Sequence, residues 1–82
     1  GLTEERRKEF AKLVSEKVED CRQRIRRIRQ DEMRKIDTQF EEKDLSEDER
    51  FSSKEEVEKL MKEFNSLVEE IGERKKQEIM TV

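Results

Sequence analysis

The apolar residues of this chain recur at helical spacing along two long segments, and this pattern constrains the fold more than any other feature. They lie mostly three, four or seven residues apart: first Phe10, Val14, Cys21, Ile25 and Ile28, and later Val57, Leu60, Met61, Phe64, Leu67, Val68 and Ile71. Thr3 is a suitable N-cap for the first segment, and Glu4 and Glu5 follow where the helix dipole favours anions. The chain contains no proline. We therefore predict two long helices.

A short acidic segment separates the two helical patterns. Within it, Ser46 followed three residues later by Glu49 forms a capping box, which marks the start of the second helix. The sequence thus predicts one all-α domain, or a piece of one, over residues 1–82, with a helix over about 4–42, a turn over about 43–46 and a helix over about 47–80. Because the turn is short, the helices should form a long antiparallel hairpin.

The apolar stripe is too thin to form a complete core. Only 29% of the residues are hydrophobic, so a hairpin can bury a stripe of side chains but leaves part of it exposed. We expect a third helix or a second copy of the chain to cover that part, and so expect the isolated chain to self-associate, as a dimer. Cys21 has no second cysteine to pair with, and its place on the stripe predicts a buried small hydrophobic residue.

Three arginines form a second helical pattern. Arg22, Arg26 and Arg29 lie four and three residues apart, so they share one stripe of the first helix, where like charges repel. On the same helix, only Glu19 and Glu32 are well placed to neutralise them. Planar guanidinium groups without partners suit a polyanion backbone. Two alternatives remain open: the three arginines could form a solvated face of the helix, or carboxylates on a neighbouring helix could pair with them.

The apolar pattern changes register beside these arginines. After Ile28 the next apolar residue is Met33, a step of five, and the pattern then continues on the line of the arginines. We expect the helix to bend or change its packing partner there, leaving the arginines on an open face. The net charge of −3 is unevenly distributed along the chain. Residues 20–35 carry seven positive and three negative side chains, whereas residues 41–58 carry three positive and nine negative ones.

Several kinds of chemistry have no signature here. The sequence has no histidine, phosphate-binding loop or cysteine cluster, so we expect no enzyme, no catalytic residue, no metal and no cofactor. It has no apolar run of membrane-spanning length, so we expect no membrane partner. Because the chain starts at Gly1 without an initiator methionine or a signal peptide, we expect an excised or tagged fragment.

Five motifs carry a resemblance to a known family. They are LTEERRK at residues 2–8, RxxIRxIRxD at 22–31, LSED at 45–48, VxKL at 57–60 and KxEIM at 76–80. Together they make the whole chain similar to the C-terminal part of the ribosome recycling factors. Gln30, Glu32 and Met33 depart from the family pattern, which commonly has Arg, a small residue and Asn at these positions.

The resemblance implies a fold and a function. The family has a three-helix bundle with a smaller β-rich domain inserted between its first and second helices. This chain matches helices two and three, and the first helix and the inserted domain have no counterpart in it. Family members bind the post-termination ribosome and, with elongation factor G and GTP, split it into subunits.

The resemblance also implies binding residues and a location. The bundle contacts the RNA of the large ribosomal subunit, and the implicated arginines match Arg7, Arg22, Arg26 and Arg29. The implied location is the bacterial cytoplasm, or the matrix or stroma of an organelle. The competing interpretation is a helical coiled-coil interaction module whose arginines pair with acidic side chains of a partner.

Overall fold

A computed structural model of the chain describes residues 3–81 and shows two α-helices, α1 (Glu4–Glu41) and α2 (Glu47–Met80). The helices pack side by side in a particle with extents of 61 × 15 × 10 Å. No strand occurs within residues 3–81. The predicted all-α antiparallel hairpin is confirmed, and α1 continues through the register change after Ile28 as one α-helix.

Both helices begin at the predicted caps. The Thr3 hydroxyl accepts a hydrogen bond from the Arg6 backbone N–H at 3.2 Å. The capping box is complete, because the Ser46 hydroxyl accepts from the Glu49 N–H at 3.1 Å and the Glu49 carboxylate accepts from the Ser46 N–H at 3.0 Å. Hydrogen bonding to Ser46 holds the pKa of the Glu49 carboxyl below its usual value; the backbone N–H of Ser46 makes the larger contribution and its hydroxyl the smaller. Local sequence therefore fixes where each helix starts.

The turn ends α1 with a residue in the left-handed region. Lys43 has φ of 64° and is the one non-glycine residue with positive φ within residues 3–81. Its N–H donates to the Phe40 carbonyl at 3.0 Å, and the Asp44 N–H donates to the Gln39 carbonyl at 2.9 Å. These two bonds form a Schellman motif, in which glycine is the usual left-handed residue. Lysine at this position carries a conformational cost that glycine lacks.

Ion pairs join the two helices near the turn. The Asp37 carboxylate on α1 accepts from Lys54 at 2.8 Å and from Arg50 at 3.0 Å, both on α2. The Lys54 hydrogen bond is the main reason that the pKa of Asp37 is lowered. The Arg50 guanidinium also lies over the Phe40 ring, 4.7 Å from its centroid. These contacts fix the register of the helices at this end.

The apolar contact between the helices is narrow. Ile36 and Met61 are the two buried large apolar side chains of residues 3–81, each 7% exposed. Farther from the turn, Gly72 is buried against Val18, and a Cβ on Gly72 would lie 2.5 Å from the Val18 Cγ2 atom. This glycine therefore marks a close approach of the two helices.

One side of the hairpin is an exposed apolar face. We define it by seven residues that are each 39–53% exposed: Phe10, Leu13, Ile28, Leu60, Phe64, Leu67 and Ile71. Cys21 is also exposed and shares a shallow apolar depression on this side with Leu13 and Ile71, so the prediction that it is buried is wrong. The reason is that Cys21 points toward the uncovered side of the hairpin rather than toward α2. Neither helix contains an apolar stretch long enough to cross a bilayer within the described residues.

Candidate nucleic-acid interface

The other side of the hairpin carries a charged groove. Two adjoining depressions, with volumes of about 930 and 890 Å³, share Arg29, Gln30, Glu58 and Lys59. The one farther from the turn is lined by five cations and two carboxylates, which are Arg22, Arg26, Arg29, Lys59, Lys62, Glu58 and Glu69. We call the two depressions together the charged groove. Both helices supply its walls, so only the packed hairpin assembles it.

Two of the predicted arginines are paired across this groove. The Arg29 Nε–H donates to the Glu58 carboxylate on α2 at 2.7 Å, and Arg22 forms an ion pair with Glu69. The hydrogen bond lowers the pKa of Glu58 and raises that of Arg29. The expectation that the arginines lack partners is therefore wrong for Arg22 and Arg29, because the neighbouring helix brings a carboxylate to each, although both still line the open groove.

Arg26 lies between these two pairs and differs from both. It lines the groove and is exposed, and it has no ion pair within residues 3–81. Glu32, one of the two carboxylates that the sequence offered to the arginine row, instead accepts from Lys35 at 3.1 Å. The guanidinium of Arg26 thus keeps its full charge and its hydrogen-bond donors for an external anion.

Two lysines of α2 join Arg26 in the groove. Lys59 and Lys62 follow Glu55 and Glu58 by four residues, a spacing that predicts pairs on one helix. Within the described residues neither lysine has an ion pair, whereas the equivalent Glu70–Arg74 pair forms at 3.3 Å. The Arg29 side chain engages Glu58 across the hairpin, which leaves Lys62 without that partner. Sequence reasoning missed Lys62 because its pairing depends on the register between the helices; Glu55 has no ion pair in the described residues either, so Lys59 is left unpaired without a contact across the hairpin to explain it.

Arg7, the fourth predicted site residue, lies apart from the charged groove. It is half-buried near the start of α1 and lines neither depression of the groove. On an ideal helix it lies about 22 Å along the axis from Arg22. The structure thus brings Arg22, Arg26 and Arg29 together and leaves Arg7 near the end opposite the turn.

Comparison with known proteins identifies the family. A family profile described as "Ribosome recycling factor" matches residues 1–80. The chain is 45% identical to the ribosome-recycling factor of Bacillus licheniformis and 42% identical to that of Rickettsia bellii, over 99% and 100% of its length. The chain belongs to the ribosome recycling factor family.

This membership confirms the resemblance seen in the LTEERRK motif and the arginine stripe. The ribosome recycling factor of Erythrobacter litoralis is a further relative, 41% identical over 98% of the chain. The chain spans less than half of these relatives: 44% of the Bacillus and Rickettsia proteins and 43% of the Erythrobacter protein. No solved structure matches the chain.

Proposed function

We propose that this hairpin binds RNA of the large ribosomal subunit through the charged groove. One observation carries the proposal: Arg26, Lys59 and Lys62 line the same groove and have no carboxylate partner within residues 3–81. Cations that are not neutralised by the protein release counterions from a phosphate backbone when they bind it. This release of counterions favours RNA binding even though the chain as a whole carries a net charge of −3.

The paired arginines have a supporting role in this proposal. A guanidinium has five N–H donors, so Arg22 and Arg29 retain donors beyond those that Glu69 and Glu58 occupy. Because the carboxylates hold these side chains in place, less rotamer entropy is lost when a phosphate binds. Arg7 supplies a separate phosphate contact toward the other end of α1. Arg26 is the member whose removal costs the most phosphate affinity.

The RNA contact of the hairpin is one part of the activity that we propose for the whole protein. We propose that the whole protein binds the post-termination ribosome and, with elongation factor G, separates its subunits, as its family membership implies. It has no enzymatic role of its own in this proposal. It acts where ribosomes are found, in the bacterial cytoplasm or in the matrix or stroma of an organelle. The 82 residues contribute the RNA contact.

The test compares two neighbouring arginines. Arg26 lines the charged groove, whereas Arg27 is exposed on the same helix and lines neither depression. We expect Arg26→Ala to weaken binding to purified large-subunit RNA and Arg27→Ala to leave it nearly unchanged, with equal helix content by circular dichroism. Equal losses in the two variants would mean that only overall charge matters. Unchanged affinity but lower thermal stability in Arg26→Ala would make Arg26 structural.

A second candidate is a helical interaction module. It is favoured by the exposed apolar face. Because Arg22 and Arg29 are paired within the hairpin, acidic side chains of a partner would meet Arg26, Lys59 and Lys62. In this case the hairpin associates with a helix and has no RNA affinity. In the isolated chain we propose that a second copy covers the apolar face, which a helix outside residues 1–82 covers in the whole protein. RNA binding and self-association use opposite sides of the hairpin, so both can occur.

A further inference from the structure

We propose that Phe51 is a stacking platform for an unpaired base of the bound RNA, an inference that rests on the proposed RNA-binding function. Phe51 is 65% exposed, the highest value among the large apolar side chains of residues 3–81. It lies in the second turn of α2 and lines the end of the charged groove nearest the turn. An exposed aromatic ring beside cations offers a planar apolar surface on which a base can stack.

Phe51 is separate from the apolar face. It precedes Glu58 by seven residues and Lys62 by eleven, so all three share the charged side of α2. Phe64, on the apolar face, points about 140° away from Phe51 on an ideal helix. A helix or a second copy that covers the apolar face therefore leaves Phe51 exposed.

The surroundings of Phe51 favour a nucleotide over an apolar peptide. Its end of the groove is lined by four cations, Arg29, Arg34, Lys54 and Lys59, and by three carboxylates. Three of these cations are themselves paired, Lys54 with Asp37, Arg29 with Glu58 and Arg34 with Asp31. Within the described residues, Lys59 and Glu55 are the charged groups of this lining without an ion pair, and the four cations exceed the three carboxylates by one charge. Cations beside an exposed ring combine phosphate attraction with a stacking surface, as in proteins that bind single-stranded nucleic acid.

The nature of the RNA follows from this geometry. A side chain cannot stack on the bases of a continuous duplex, because they are already stacked on each other, whereas loops and bulges present splayed bases. We therefore assign to Phe51 an unpaired nucleotide in a loop or bulge. Its phosphates follow the groove toward Lys59, Lys62 and Arg26. The groove thus combines a stacking position at one end with phosphate contacts along its length.

The composition of the chain allows a direct optical test. It contains no tryptophan and no tyrosine, so Phe51→Trp introduces a single indole whose fluorescence reports stacking. The probes are an RNA hairpin with an unpaired adenine-rich loop and a fully paired RNA duplex of equal length. We expect the loop RNA to quench the indole and the duplex to have little effect. The matched control, Phe64→Trp on the apolar face, should show no quenching by either RNA.

Affinity measurements separate stacking from charge. Phe51→Ala should lower affinity for the loop RNA roughly 5- to 150-fold, the range for loss of one base–aromatic stack, with no change in the salt dependence. Phe51→Leu, which keeps an apolar side chain but no ring, should lose most of the same factor. Because the side chain is exposed, circular dichroism should show unchanged helix content in each variant.

The possible failures are distinguishable. Wild-type affinity in Phe51→Ala, together with weakened binding in Arg26→Ala, would overturn the stacking role and leave the RNA-binding proposal standing. Full affinity in Phe51→Leu would reduce Phe51 to an apolar contact and would also overturn stacking. If the wild-type chain binds neither the loop RNA nor large-subunit RNA, the RNA-binding proposal fails, and the inference about Phe51 fails with it.

Discussion

Replacing Gly72 by alanine sets two known effects against each other. In a helix interior, glycine is about 1 kcal/mol less favourable than alanine, so propensity alone predicts that Gly72→Ala stabilises α2. Against this, the new Cβ would lie 2.5 Å from the Val18 Cγ2 atom. Valine in a helix has one strongly preferred rotamer, so rotation cannot relieve the contact and the helices must move apart.

The structure predicts that the contact outweighs the propensity. Overpacking of this kind costs about 1–3 kcal/mol, which leaves a net destabilisation of up to about 2 kcal/mol and a central value near 1 kcal/mol. For a domain of this size, about 1 kcal/mol lowers the midpoint of thermal unfolding by roughly 4–8 °C. Circular dichroism melts at one fixed protein concentration measure this shift, because self-association would otherwise change the midpoint.

A double mutant decides whether Val18 is the cause. In a Val18→Ala background the clashing methyl group is absent, so Gly72→Ala should become stabilising by about 1 kcal/mol. Ser52→Ala, at an exposed position of α2, is a control for helix propensity without a contact to α1. A higher midpoint for Gly72→Ala in the wild-type background would refute the close approach of the helices. An equal shift in both backgrounds would show that Val18 is not involved.

Three further predictions concern the turn, the carboxylates and the apolar face. Lys43→Gly should stabilise the hairpin by about 1 kcal/mol in urea unfolding, because φ of 64° is costly for lysine; a loss of stability would contradict the Schellman turn. Asp37, Glu49 and Glu58 have lowered pKa values when folded, so the folded chain binds fewer protons than the unfolded chain. Their stabilisation is present above about pH 4 and is lost as the pH falls through the folded pKa values, so acid should lower the melting midpoint. The midpoint of Glu58→Gln should fall less steeply, and a midpoint that rises in acid would contradict the lowered pKa values. Sedimentation equilibrium at micromolar concentration should show a dimer, and the Cys21 thiol should react more slowly with maleimide in this dimer than in dilute solution. A cooperatively folded monomer would show that two helices suffice for a stable fold.

Local patterns were sufficient to predict the helices and their caps. Thr3 and the Ser46–Glu49 capping box act within one helical turn, so the sequence alone identifies them. The family could also be predicted, since LTEERRK and the arginine stripe are read directly from the chain. These features depend on residues that are close in sequence.

Which charged side chains of the site are paired depends on contacts between the helices. Glu58 and Glu69 lie 29 and 47 residues after Arg29 and Arg22, and only the packing register brings them together. The same register deprives Lys62 of the partner that helical spacing predicts. Cys21 was misplaced for a related reason: periodicity locates the apolar stripe, but not which of its edges faces α2.

Binding of RNA phosphates by the charged groove is tested most directly by the salt dependence of that binding. The measurement is the affinity for large-subunit RNA across a salt series. The groove variant combines Arg26→Ala, Lys59→Ala and Lys62→Ala. The control variant removes the same charge at three positions that do not line the groove, Lys12→Ala, Arg24→Ala and Arg27→Ala. Loss of three phosphate contacts should reduce the slope of log affinity against log salt by about 2–3 in the groove variant and leave the control close to wild type. Equal reductions in both variants would contradict the groove as the binding site.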